Sequence, residues 1–414
     1  MEIIGLSDRD KTLLTKIFDT VSYTVFALYL FYDLFRLSMV EDYLGNYIPV
    51  YLILYFVIVS VPVLAVISLL TKFKNKKELI IYALLLLFFY IANRLEEQGI
   101  LSTDIYYTSY HFMCFIIIAK NLDFRKIAKI YLAITSLVVV LTISCSLAGK
   151  IPDLIYEETG RSSRHSLGFE YPLVLPSYLL MLSIVYCYLK NGLLRIWEYI
   201  LLIGMWSVSM FICKALTTSL LFGLLIAGTM LRQILVRKDI NKSNLYGKVR
   251  NTITYVFKNS YLLMLLIMLL GAVLYVPPIT GFLAKIPMID TFTSRFAFGR
   301  EGLLNYFPTV LGRSFPYQGH INTVKPEDFF VIDSSYYLLI IYFGVIGAPI
   351  VLYGLQRSLK MLYSQRKAYA LCLVFVFSVL CSMESRMFSI SYNLFLLLLL
   401  ARPDTVFLPQ RNMV

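Results

Sequence analysis

Charge is what this chain has little of: only 15% of its 414 residues are Asp, Glu, Lys or Arg, while 59% are hydrophobic and the mean hydropathy is +0.73. A soluble fold needs those residues to cover its exterior, so soluble enzymes, coiled coils and disordered tails are excluded. Cysteine is sparse as well. Cys114, Cys145, Cys187, Cys213, Cys372 and Cys381 all fall within apolar runs, a pattern that indicates neither a disulfide framework nor a zinc site. There is no HExxH, no P-loop and no GxGxxG turn, which argues against a divalent-metal mechanism and against ATP as the energy source. Internal repeats and Pro-rich or Gly/Ser-rich linkers are missing too. Asp8, Asp10, Lys11 and Lys16 precede the first apolar run and no small-residue cleavage site follows it, so the first helix reads as a retained anchor and not a signal peptide.

What is present is a series of apolar runs separated by short charged clusters. A membrane-crossing helix needs about 20 mostly apolar residues. Twelve candidates meet or approach that length: 17–38, 48–70, 79–93, 105–119, 130–149, 172–189, 196–213, 215–231, 259–277, 334–356, 368–383 and 387–401. The second, fifth, sixth, ninth and tenth are the longest runs free of charge. The pairs at 79–119, 196–231 and 368–401 are short enough that any of them could hold a re-entrant hairpin. The expected fold is an all-α polytopic membrane protein of about twelve helices, with a long external loop between helices 9 and 10. Its segments are 1–149 (helices 1–5), 150–171 (an external loop), 172–277 (helices 6–9), 278–333 (the large external loop with an interfacial helix) and 334–414 (helices 10–12 and a tail).

Placing both termini in the cytoplasm puts roughly two thirds of the 38 Lys and Arg residues on the cytoplasmic side, as the positive-inside bias requires. The formal net charge of +13 is thus an orientation signal, and nucleic acid is not an expected partner.

The basic residues left outside are clustered. Arg161, Arg164 and His165 sit in the loop IPDLIYEETGRSSRHSLGFEYP, and Lys214 lies in the turn FICKALTTS. Arg295, Arg300, Arg313 and His320 lie in the loop 278–333. On a helix over 291–308, Phe292, Phe296, Leu303 and Phe307 form one stripe with Arg295 and Arg300 at its edges. Such a helix either lies at the bilayer interface with its guanidinium groups at phosphate depth, or packs on other spans with its arginines in water. A guanidinium fork binds two phosphate oxygens and stays charged at any relevant pH, which suits a lipid diphosphate. Asp333, the last charge before the tenth span, is either an acceptor for a sugar hydroxyl proton or a helix N-cap. Lys214 by itself reads as a snorkelling helix-end lysine, and Asp33 and Arg36 as an intrahelical pair.

Four strings in this order resemble a Wzy-type polysaccharide polymerase of the O-antigen ligase-related superfamily: RHSLGFEYP at 164–172, CKALTTSLL at 213–221, FGREGLLNYF at 298–307 and IDSSYYLLIIYFGVIG at 332–347. The resemblance implies a fold similar to the glycosyltransferase C superfamily, in the cytoplasmic membrane of a bacterium. It also implies a metal-independent reaction without cofactor, at the outer face, that joins undecaprenyl-diphosphate-linked oligosaccharide donor and acceptor into capsule, O-antigen or exopolysaccharide. A flippase and a chain-length regulator are the protein partners it implies. By position, Arg164 and Arg300 resemble the loop arginines that hold the diphosphate. Lys214 stands where relatives often carry arginine, a departure because lysine forms no fork. Asp333 stands where related O-antigen ligases tend to carry histidine, which favours polymerisation over transfer to a lipid A core.

The expected mechanism has a hydroxyl of one lipid-linked oligosaccharide attack the anomeric carbon of another. Arg164 and Arg300 stabilise the leaving diphosphate, assisted by Arg161, Arg295 or Lys214, and Asp333 or His165 draws the proton. Arg313 and His320 are further candidates for substrate contact. The rivals are a flippase for the same lipids, which calls for broken helices and basic residues at mid-membrane depth, a ligase-type transferase, and an assembly subunit without chemistry.

Overall fold

A computed structural model of the chain describes residues 8–44, 50–72, 75–95, 109–157, 163–237, 244–275, 287–313, 332–401 and 406. Helix dominates them, and strand is confined to a two-stranded pair of two residues each. The chain divides into two compact units, residues 1–90 with 110–239 and 390–414, and residues 91–109 with 240–389.

The first unit contains α1 (Asp8–Arg36), α2 (Val40–Leu44), α3 (Val50–Lys72), α4 (Lys76–Leu95), α5 (Ser109–Ala119), α6 (Phe124–Leu147), α7 (Val174–Leu189), α8 (Ile196–Ser207) and α9 (Leu216–Arg237). Helix α3 shows what the apolar runs do. Leu54, Val57, Ile58, Val61 and Ala65 are buried on one side, while Leu52, Tyr55, Phe56, Val59, Val63 and Leu70 are exposed on the other. An apolar surface of this extent is lipid-facing, since water would not tolerate it. α6 begins where the Asp123 side chain accepts the Arg125 N–H at 2.9 Å, an N-cap that starts a helix about 36 Å long at 1.5 Å per residue. α7 is different, because its 16 residues are buried on nearly every side and it packs against α6, α8 and α9. Its charge-free run therefore marks the interior of the unit.

Among the described residues, five helices are long and apolar enough to cross a membrane: Thr12–Arg36, Leu52–Thr71, Phe124–Leu147, Leu216–Arg237 and Ser335–Ser364. A sixth crossing arises if Arg250–Phe257 and Ser260–Val273, bent by 64°, form one broken span. Tyr110–Ala119, Val174–Leu189, Ile196–Ile212 and Ala368–Leu380 are shorter apolar helices.

The expected twelfth span, 387–401, is not an α-helix. Its residues run through turns into the 3₁₀ segment Leu394–Leu398, and from Met387 on they are buried. Non-helical backbone at membrane depth has to be enclosed by protein that satisfies its polar groups. Tyr131 of α6 donates its hydroxyl to the Ser391 carbonyl at 2.7 Å, and Tyr178 of α7 stacks on Tyr392 with ring centroids 4.2 Å apart. A leucine-rich string looks the same whether it faces lipid or fills a core, which is why composition misassigned it.

The second unit contains α10 (Asn244–Phe257), α11 (Ser260–Val273), α12 (Pro287–Asn305), α13 (Ser335–Ser364) and α14 (Ala368–Leu380). α13 is interrupted at Gly344, whose φ of 64° and ψ of −172° no helix contains. Residues 309–313 close the break from the side. Val345 and Ile346 donate their N–H groups to the carbonyls of Thr309 and Val310 at 3.0 and 3.2 Å, and Arg313 N–H donates to the Ile341 carbonyl at 2.9 Å. The backbones come so close that a Cβ at Gly344 would lie 2.1 Å from the Gly312 nitrogen.

Candidate functional site

Residues assigned by charge to the cytoplasm gather at one end of the first unit. There Arg232 donates to the Asn191 carbonyl at 2.7 Å, Lys190 pairs with Glu198 at 2.8 Å, and Lys120 pairs with Glu78 at 2.5 Å. The opposite ends of the same helices carry residues 37–39, 150–157, 163–171 and 213–215.

That second end is built on a hairpin. Ile155–Tyr156 pairs antiparallel with Arg164–His165, in the register Ile155 to His165 and Tyr156 to Arg164. The return strand continues into Leu167 and Gly168, both with positive φ (50° and 85°), and this sharp turn carries the chain back over the helix ends. The turn is anchored to α1, with Met39 N–H donating to the Gly168 carbonyl at 2.9 Å and Ser38 bridging Phe169, itself fully buried. A Cβ at Gly168 would meet Ile151, Ser146 and Thr142 within 3.1 Å, so only glycine fits that approach. Tyr156 adds a hydroxyl bond to the Glu170 carbonyl at 2.7 Å.

On this platform Arg164 is 8% exposed, with its guanidinium 6.0 Å from the Tyr171 ring centroid. His165 turns the other way, and its Nδ1 lies 2.5 Å from Asp153 Oδ2. The second carboxylate oxygen of Asp153 accepts the Leu167 N–H at 2.7 Å. Asp153 was missed in the sequence because it lies twelve positions from His165 in a loop without periodicity, and pairing across a hairpin leaves no spacing rule to read. Glu41, in α2, was also not singled out. Burial raises its carboxyl above the usual range against the pull of Arg36, with Asp42 and Glu170 adding to the rise.

Lys214 belongs to the same unit. α8 ends in a π-helical turn, Val208–Ile212, and Lys214 follows with φ 50°, an uncommon conformation for lysine. The turn is closed by Ala215 N–H to the Ser209 carbonyl at 3.0 Å and by contact of the Ser209 and Ser219 hydroxyls at 2.9 Å. Burial raises the pKa of the neighbouring Cys213 thiol, and the charge of Asp153 adds to the rise.

The second unit carries the other candidates. Arg295 on α12 pairs with Asp333 through Nη2 and Oδ2 at 2.8 Å. Asp333 is not the cap of α13: Ser334 occupies the N-cap position, and its side chain makes no capping bond. Burial raises the Asp333 pKa above 3.8, opposed first by Arg295 and then by Arg386. Ser335 ties the start of α13 to residues 381–387, donating its hydroxyl to the Glu384 carbonyl and accepting the Met387 N–H at 3.0 Å. Arg300 is exposed and donates to the Tyr275 carbonyl at 2.8 Å. Arg313 stands 5.4 Å from the Tyr306 ring centroid. Arg161 and His320 lie outside the described residues.

The expected apolar stripe of α12 needs correction. The helix ends at Asn305, the Phe296 ring presses on Gly271 of α11, and Gly299 fits under Tyr337 of α13. The outward apolar residues are Phe298, Leu304 and, beyond the helix, Phe307 and Val310. Two glycine contacts decided the packed face, and an apolar-stripe search gives glycine no weight. Among the described residues no three His, Cys, Asp or Glu side chains gather as metal ligands. Comparison of the chain with family models, curated proteins and solved structures found no match.

Proposed function

We propose that this membrane protein is a polysaccharide polymerase that transfers one undecaprenyl-diphosphate-linked oligosaccharide onto another at the outer face of a bacterial cytoplasmic membrane, as in the Wzy-type family it resembles. The observation that carries the reading is the folded platform of residues 151–157 and 163–171. It holds a largely buried arginine beside a carboxylate-bound histidine at the end of the unit away from the basic clusters. A loop that was merely solvated would bury no guanidinium there. Arg164 is assigned the negative charge of the leaving diphosphate and His165 the hydroxyl proton, and Arg300 and Asp333 are the second unit's candidates for the same two roles.

The test is elongation of synthetic undecaprenyl-diphosphate-linked repeat units by the purified protein in vesicles, with no other component. A ladder of products is expected. Arg164→Ala and Arg300→Ala should each lower the rate about a hundredfold or more, the usual loss for one well-placed donor. Wild-type protein that yields no ladder, or both variants running at the wild-type rate, defeats the assignment.

A flippase for the same lipids is the second reading, favoured by one observation, the break in α13 at Gly344, since interrupted helices bind substrates in transporters. The backbone groups released at this break are already engaged by residues 309–313, which argues for a structural clip.

A further inference from the structure

We infer that Asp153 is the positioning residue of a proton-accepting pair in which His165 is the base. The inference rests on the polymerase reading and deepens it. A carboxylate can only accept, so the 2.5 Å contact between Asp153 Oδ2 and His165 Nδ1 places the ring proton on Nδ1 and leaves Nε2 with its lone pair. Both groups reach the surface, with side-chain exposures of 38% for His165 and 26% for Asp153. Asp153 is itself oriented, because Oδ1 holds the Leu167 N–H. The β-pair fixes the ring from behind, with Leu154 and Ser166 exchanging two 3.0 Å bonds: Ser166 N–H to the Leu154 carbonyl and Leu154 N–H to the Ser166 hydroxyl. Nucleophile activation generally has this form, a base aligned by a third group.

In the step so assigned, the attacking hydroxyl gives its proton to Nε2 as its oxygen bonds to the anomeric carbon. The bond from that carbon to the diphosphate oxygen breaks, and its electron pair leaves on the diphosphate. Asp153 stabilises the imidazolium until the proton passes to water. Among the described residues, the Asp153 charge also acts on the Cys213 thiol on the α8–α9 turn, while Tyr156 and Arg164 pair on the opposite face of the hairpin.

Three histidines make the test direct. Protein labelled with ¹⁵N-histidine is titrated by NMR in nanodiscs, His165 being assigned from the His165→Gln variant, and pH–rate profiles for elongation are recorded on the same samples. The expected neutral form carries its proton on Nδ1. Asp153→Asn keeps an oxygen for the Leu167 N–H and turns an amide N–H toward Nδ1, so it should move the ring proton of the neutral form to Nε2. Elongation should then lose kcat with KM unchanged, and Asp153→Glu should restore part of the loss. His165→Gln should reduce kcat about a hundredfold or more. An unchanged tautomer in Asp153→Asn overturns the pairing, and wild-type elongation by His165→Gln overturns the base. A wild-type titration as expected without any elongation defeats the polymerase reading and takes the base role with it, while the pairing stands on the NMR result.

Discussion

Asp333 illustrates how one carboxylate is pulled two ways. Arg295, 2.8 Å away, favours the ion, while the surrounding protein disfavours it more strongly, and the balance leaves the pKa above 3.8. The folded state therefore binds this proton more tightly than the unfolded chain does. The contribution to stability is fully present below pH 3.8 and is lost as the pH rises through the raised value. Thermal unfolding of wild type and Asp333→Asn should show a wild-type advantage that is larger just below pH 3.8 than at neutral pH. A difference that grows toward neutral pH would mean that Arg295 dominates. The candidate site was legible here as residue types: arginines in the loops that the charge bias assigns to the outer side, against that same bias. Their partners were not, since Asp153 reaches His165 across a hairpin and Arg295 reaches Asp333 from another helix.

Among the elements, α13 departs from regular helix geometry at Gly344. Gly344 combines a left-handed φ with a backbone contact on Gly312, so a side chain there is excluded twice. Gly344→Ala should cost at least the 1–3 kcal/mol or so of a strained φ/ψ, and the clash with backbone should add to it. Gly204 in α8 is the control, because a Cβ there meets nothing within 4 Å. Gly204→Ala should be neutral or stabilising by up to about 1 kcal/mol, as expected for a helix interior. Melting temperatures of the two variants in one detergent check both expectations, and equal melting temperatures would refute the clip. The same element shows why periodicity was insufficient. Residues 334–356 read as one uninterrupted apolar run, and the break is made by backbone bonds to residues some thirty positions earlier.

For the whole molecule, the reading depends on which ends of the helices face outward. The helices of the first unit place Lys120, Lys190 and Arg232 at one end and residues 150–157 and 163–171 with Lys214 at the other. In a protein freed of its six cysteines, Ser163→Cys should react with a membrane-impermeant maleimide in intact cells. Lys129→Cys should react only after the membrane is opened. The reverse pattern would invert the topology and end the polymerase proposal.

By itself the sequence determined the solvent of this protein. Long apolar runs with almost no charge have nowhere stable but a bilayer, and once there the backbone must be helical wherever lipid touches it. Tertiary structure alone decided which runs touch lipid. Transfer from water makes lipid and protein interior look alike to a leucine, so the interior helix α7 and the enclosed segment 387–401 carried the same signature as the exposed spans. It also decided which polar groups meet, because a hydrogen bond depends on position to within a fraction of an ångström and composition carries no distances.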